Sequence, residues 1–240
     1  MKVRRGIEFV PPRAMLSVVI PAYNEEDTIL EVIERVLRQG CVREIIVVDD
    51  GSTDNTAVML SSINSPDVPV QIIKHSSNQG KGMAIQTALR HVTGDFVLIQ
   101  DGDLEYDPND YSMLLGPVVS GRAEAVYGSR FITTANCRTN RWHIFGNKML
   151  TSVCNMITGL RLSDSATCYK LISTRLLRRL ALQERGFGFC PEVNVKLARL
   201  NVRPIEVPIT YKSRTWREGK KIKFQDLVHA IVCYLKYRWK

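Results

Sequence analysis

The sequence predicts an α/β fold: an open, mostly parallel, twisted sheet with helices on both faces, extended by C-terminal amphipathic helices. Two observations carry this. Short valine- and isoleucine-rich runs alternate with segments of helical period through the first half of the chain, the pattern of strands buried on both faces and joined by crossover helices. In addition, 240 residues with 45% hydrophobic content suffice for one full core and leave little for a second. One domain over residues 1–240 is therefore expected. Strands are expected at 16–21, 44–50, 70–75, 95–101 and 125–130, with helices at 28–38, 55–62, 81–91 and 109–119. After Arg130 the pattern changes to an amphipathic helix at 142–162, a strand at 168–172, helices at 174–182 and 191–200, and a strand at 205–211. There is no internal repeat, low-complexity run or linker.

The formal net charge of +9 implies an anionic partner: nucleic acid, an acidic membrane surface or a phosphorylated substrate. Six cysteines stand singly, with no Cys-x-x-Cys pair and no clustered histidines to complete a zinc site, so they read as small buried hydrophobes in a reducing compartment. Residues 1–14 carry charge without an apolar stretch behind it, unlike a signal peptide. No run reaches the ~18 apolar residues of a membrane span. The expected location is cytoplasmic, peripheral on the inner face of a membrane.

In open sheets, ligands bind beyond the carboxyl ends of the strands, and three strand ends here deliver acidic or aromatic groups. Asp101-Gly102-Asp103 follows the run 96–99 and is continued by Glu105. Two carboxylates two residues apart on a glycine turn offer hard oxygen ligands to Mg²⁺ or Mn²⁺, which would neutralise charge on a leaving nucleoside diphosphate. Taken alone, such a turn reads more plainly as solvated. In Asp49-Asp50-Gly51-Ser52-Thr53-Asp54, capping of the next helix accounts for Thr53 and Asp54. It leaves the paired aspartates unexplained, and Asp50 is a candidate acceptor for a base or ribose. Pro21-Ala22-Tyr23-Asn24-Glu25 offers an aromatic face for the same nucleotide, or an ordinary loop capped by Asn24 or Asp27. Asn78-Gln79-Gly80-Lys81-Gly82 opens a helix where phosphate is favoured, with Lys81 otherwise a solvated charge.

Together with Ser17-Val18-Val19-Ile20 before Pro21, Ile45-Ile46-Val47-Val48 before Asp49, and Gly128-Ser129-Arg130, these motifs resemble family 2 glycosyltransferases of the GT-A fold. Within that family they are most similar to the dolichyl- or polyprenyl-phosphate hexose synthases, and the resemblance runs through nearly the whole chain in order. It implies an inverting transfer of a hexose from a nucleotide sugar of GDP-mannose or UDP-glucose type to a polyprenyl phosphate. It also implies that Pro21, Tyr23, Glu25 and Asp50 hold the nucleotide, and that Asp101, Gly102 and Asp103 meet the metal and diphosphate. Glu105 joins the metal ligands where these synthases often have glutamine. Tyr211-Lys212-Ser213-Arg214 and Gly219-Lys220-Lys221 look like the segment that closes over the diphosphate, Arg214 with its planar fork and Lys220 as a point charge. Arg130 ends a strand on the same edge, within reach of a phosphate. Residues 1–130 thus form the nucleotide-sugar and metal half, and 131–240 the acceptor and membrane-facing half.

Asp164 through Lys170 partly resembles the acceptor-side segment of the lipid-phosphate synthases. A phosphate acceptor is already ionised near neutral pH, whereas a saccharide acceptor needs a base, for which Asp164 and Glu192 are the candidates. Amphipathic stripes through Phe145, Met149, Val153, Met156 and Ile157, and through Leu227, Val228, Ile231, Val232, Leu235 and Trp239, suit either core packing or a membrane surface. A membrane-anchoring partner subunit would serve the same end. Nucleic-acid binding lacks a helix-turn-helix, RNP or zinc-finger context, and no Gly-x-Gly-x-x-Gly follows the first strand to indicate a dehydrogenase. Arg141-Trp142 resembles part of the processive polysaccharide synthase signature, without its glutamine or membrane spans.

Overall fold

Alternation of side chains along each strand fixes the layering of this molecule, a computed structural model that describes residues 15–133, 137–138, 141–214 and 224–238. In β1 (Leu16–Ala22), Val19 packs into one core while Leu16, Val18 and Ile20 pack into the other. β2 (Val42–Asp49) divides Ile46 and Val48 from Ile45 and Val47 in the same way. Both faces are covered, which is why these strands read as continuous apolar runs.

One core is roofed by α1 (Ile29–Leu37), α2 (Thr56–Ser61) and α4 (Tyr111–Val119). Ile29, Val32, Ile33 and Val36 give α1 its buried stripe, and Glu31–Arg35 and Glu34–Arg38 pair along its outer side. The other core gathers α3 (Lys81–Leu89), α5 (Arg141–Thr158), α6 (Thr174–Arg179), α7 (Phe189–Arg199) and α8 (Phe224–Arg238).

The remaining strands are β3 (Val70–Lys74), β4 (Phe96–Ile99), β5 (Ala125–Ser129), β6 (Cys137–Arg138), β7 (Lys170–Ser173), β8 (Ile205–Pro208) and β9 (Tyr211–Lys212). Together with β1 and β2, five of these form one seven-stranded sheet in the order β3-β2-β1-β4-β7-β5-β8, and β6 pairs with β9. All the neighbours in the large sheet are parallel except at β7, which runs antiparallel to both β4 and β5. The expected α/β class and mostly parallel sheet are therefore present, with strands from both halves of the chain in one sheet.

Three expectations need correction. The helix expected at 142–162 stops at Thr158, because Gly159 takes φ +70° and its amide caps the carbonyl of Asn155 at 2.8 Å. The strand expected at 205–211 is broken in two. The Thr210 amide donates to Asp110 Oδ2 at 2.6 Å, and the chain leaves β5 to run across the end of the sheet. The amphipathic stripes are also divided between two faces. In α5, Val153 and Ile157 pack beside Leu150 and Cys154 on the core, whereas Phe145, Met149 and Met156 face outward. In α8 the core residues are Ala230, Cys233, Tyr234 and Tyr237, with Ile231 against them, and Val228, Val232 and Leu235 are exposed. The side chains of Leu227 and Trp239 lie outside the described residues.

Candidate active site

β1, β2 and β4 end at one edge, and the loops beyond them are laced together by their own polar residues. Asn24, with φ +53°, accepts from the Thr53 amide at 2.8 Å, and its own amide donates to Ser52 Oγ at 3.0 Å. Asp54 accepts from the amides of Thr56 and Glu26, so this aspartate ties the start of α2 to the β1 loop. Asp49 Oδ1 closes a turn by accepting from the Ser52 amide at 2.9 Å.

Asp50 faces the cavity, yet its oxygens already serve the protein. Oδ1 meets His75 Nδ1 at 2.6 Å and the Gln79 amide at 2.9 Å, and Oδ2 accepts from the Gly80 amide at 2.7 Å. It thereby sets the loop that opens α3. That loop places Lys81, whose ammonium contacts Asp101 Oδ1 and lies 2.8 Å from Cys168 Sγ.

The acidic turn after β4 is crossed by the segment from β8 to Arg214. Tyr211 OH donates to Glu105 Oε2 at 2.9 Å and the Arg214 amide donates to Glu105 Oε1 at 2.7 Å. The Arg214 guanidinium then reaches Asp103 Oδ2 at 2.5 Å and Glu25 Oε2 at 2.9 Å. Four carboxylates (Glu25, Asp101, Asp103, Glu105) thus face two cations (Lys81, Arg214), a formal excess of two negative charges among these six groups. The titration of the pair reflects it. Burial, reinforced by Asp101 and Glu105, pushes the Asp103 carboxyl up to about 7. Burial also works against ionised Asp101, but the Lys81 ammonium outweighs it and holds that carboxyl below its usual range. A hard oxygen donor set crowded into one buried acidic turn is what a divalent cation relieves, so these residues fit Mg²⁺ or Mn²⁺.

These groups line a cavity of ≈ 690 Å³, together with Pro21, Tyr23, Gly102 and Arg130. Its lining also includes the largely apolar Leu150, Ala166, Phe187, Phe189, Ala230 and Tyr234. Cys168 and Cys190 belong to the same lining, and a hydrogen bond from Cys168 lowers the Cys190 thiol to about 6.

Several basic and acidic candidates have other duties. Arg130 forms a bidentate pair with Asp164, Nε to Oδ2 at 2.6 Å and Nη2 to Oδ1 at 2.7 Å, with both side chains buried. Asp164 is thus bound as a counterion. Glu192 is buried and accepts from the Gln183 and Glu184 amides and from Lys196 Nζ at 2.6 Å. Lys170 is buried against the Tyr127 ring and donates to the carbonyls of Thr167 and Ser165, outside the cavity lining. Lys220 lies outside the described residues. Sequence reasoning missed the thiol pair and the aromatic walls, which come from elements far apart in the chain. Lys81 and Asp101 each sat in a motif, but nothing in the sequence paired them with one another or with Cys168.

A family profile described as Glycosyl transferase family 2 matches residues 17–181. Among curated proteins, the chain is 28% identical over 206 residues to Glycosyltransferase AglJ of Haloferax volcanii, covering 85% of this chain and 65% of that one. It is 26% identical over 236 residues to dolichol-phosphate mannosyltransferase of Pyrococcus furiosus (94% and 64% covered). It is also 26% identical over 226 residues to undecaprenyl-phosphate 4-deoxy-4-formamido-L-arabinose transferase of Klebsiella pneumoniae (92% and 66%). The chain therefore spans just under two thirds of the length of these relatives. In fold it is similar to crystal structures of glucosyl-3-phosphoglycerate synthase from Mycobacterium tuberculosis. The complex with uridine diphosphate has a TM-score of 0.73 at 23% identity, covering 94% of this chain and 80% of that one. The complex with Mn²⁺, uridine diphosphate and phosphoglyceric acid has a TM-score of 0.69 at 22% identity, covering 94% and 78%.

Proposed function

From the premise that this chain belongs to glycosyl transferase family 2, we propose that it moves a hexose from a nucleotide sugar to a polyprenyl phosphate with inversion at the anomeric carbon. The observation that carries the reading is a single cavity whose lining joins the charged acidic turn to apolar walls from α5, α7 and α8. Such a cavity suits an acceptor with an anionic head and a hydrocarbon tail better than a sugar bearing only hydroxyls. The curated relatives that act on dolichol phosphate and undecaprenyl phosphate point the same way.

The acceptor side adds a second support. Asp164 and Glu192, the two carboxylates that a hydroxyl acceptor would call on as base, are both buried in ion pairs. A phosphate needs no such base, being ionised already. Its oxygen attacks the anomeric carbon on the face away from the diphosphate. The new carbon–oxygen bond forms as the bond to the diphosphate breaks, and configuration inverts in that single displacement.

On the donor side, Tyr23 and Pro21 line the nucleotide end and Asp50 holds the adjoining loop in place. Asp101 and Asp103 would hold Mg²⁺ or Mn²⁺, whose Lewis acidity neutralises charge on the departing nucleoside diphosphate. Glu105 anchors Tyr211 and Arg214 beside them. The Arg214 Nε is buried with no acceptor among the described residues, so this guanidinium has a donor to offer a diphosphate oxygen. Lys81 stands on the opposite side of the turn.

Among the described residues no helix is long and apolar enough to cross a membrane. The outward-facing Phe145, Met149 and Met156 of α5 and Val228, Val232 and Leu235 of α8 support attachment to a membrane surface by the helices that also wall the cavity. The test is to incubate radiolabelled nucleotide sugars with polyprenyl phosphate or with soluble saccharides and to compare label in organic and aqueous phases. Organic-phase label that requires polyprenyl phosphate is expected. Label in soluble saccharide alone would replace the lipid reading with a carbohydrate-extending one.

A further inference from the structure

We infer that Glu184, His229 and Cys233 form a second metal site, for a thiophilic divalent cation of the zinc type, that clamps α8 to the loop preceding α7. His229 and Cys233 stand one turn apart on α8, and their Nε2 and Sγ are 3.4 Å apart. Glu184 Oε2 lies 3.4 Å from the same Nε2, and the three donor atoms all fall within 4.8 Å of one another. Bonds of about 2.0–2.3 Å in a tetrahedron set donors roughly 3.3–3.7 Å apart along its edges. One imidazole, one thiol and one carboxylate are a zinc-type donor set with a fourth position open to water. The pair is too short a motif for sequence to flag, and its third member comes from another element.

The surroundings are built to suit. Glu184 Oε1 accepts from Lys236 Nζ at 2.7 Å and Tyr237 OH at 2.8 Å, which orients Oε2 toward the other two donors, as outer partners of metal ligands do. The Lys236 charge opposes a cation, but that side chain is 46% exposed and free to turn to solvent. His229 is 52% exposed, which gives the ion a way in. Gly188 keeps the inner side clear: a Cβ there would sit 2.7 Å from Glu184 Oε2 and 2.8 Å from Cys233 Sγ. On binding, the Cys233 S–H bond gives way to a sulfur–metal bond and its proton leaves to solvent.

The clamp bears on the cavity wall. The carbonyls of Glu184 and Arg185 accept from Gln86 Nε2 and the Met83 amide of α3, both at 2.9 Å. Gly186 and Phe187 of this loop and Ala230 and Tyr234 of α8 line the cavity. A cation across them fixes two elements of its wall. This inference does not depend on the transferase reading.

The test titrates the metal-free full chain with Co²⁺ as a spectroscopic probe. One equivalent is expected to give a sulfur-to-cobalt charge-transfer band, which oxygen ligands at Asp101 and Asp103 cannot produce. Cys233→Ser should abolish the band, and the half-exposed His229→Ala should weaken binding at least tenfold without disturbing the core. Zn²⁺ should bleach the band and raise the unfolding midpoint of the parent chain but not of His229→Ala. Absence of the band, or a band that survives Cys233→Ser and vanishes in Cys168→Ser/Cys190→Ser, would overturn the assignment.

Discussion

Asp164 illustrates how a buried charge pair holds the sheet edge. Its carboxylate neutralises Arg130, which also lies 5.0 Å from the centroid of the Tyr211 ring. Asp164→Asn leaves a buried guanidinium uncompensated and should cost about 3–5 kcal/mol of stability, read from urea unfolding. Cys190 behaves in a different way. With its thiol lowered to about 6 by the hydrogen bond from Cys168, the thiolate is present at neutral pH. Alkylation by iodoacetamide should therefore reach half its maximal rate near that pH, against about 8.5 for a free cysteine. Cys190→Ser should remove this fast phase. The acidic turn was legible in sequence because Asp101 and Asp103 are neighbours after an apolar strand. The fates of Arg130, Asp50 and Lys170 were not, because Asp164, His75 and Tyr127 reach them only through the fold.

Between β8 and Arg214 a short segment crosses the sheet end, and its position depends on Glu105 and Asp110. Removing the fork that this segment presents, by Arg214→Ala, should lower kcat/KM by about 2–4 kcal/mol of transition-state stabilisation, measured with a saturating acceptor. The outward faces of α5 and α8 give a second expectation. Val232→Ser with Leu235→Ser should reduce cosedimentation with anionic vesicles while leaving the circular dichroism spectrum unchanged, since both side chains are exposed. Element types and order were readable from periodicity. Which face of α8 is buried was not, because tyrosines and a cysteine make its core face while valines and a leucine point outward.

At the scale of the whole molecule, the cavity draws on both halves of the chain, with a lining that runs from Pro21 to Tyr234. A nucleotide sugar that is the true donor should raise the unfolding midpoint only when Mg²⁺ or Mn²⁺ is present, and Asp103→Asn should lose that rise. The class of fold was legible in the run of strands and helices; the antiparallel seam in its middle was not, because a four-residue strand at Lys170–Ser173 carries no mark of direction. That seam decides how the chain can be assembled. β4 and β5 never pair with each other, and each is hydrogen-bonded to β7. During synthesis, the four strands around β1 can form while β5 waits without its inner neighbour. Two raw strand edges then face each other across a gap until residues 170–173 emerge. Pairings so distant in sequence form slowly and leave edges open to other chains. β7 thus joins the two parts of the sheet, and until it pairs the inner edges of β4 and β5 have no partner.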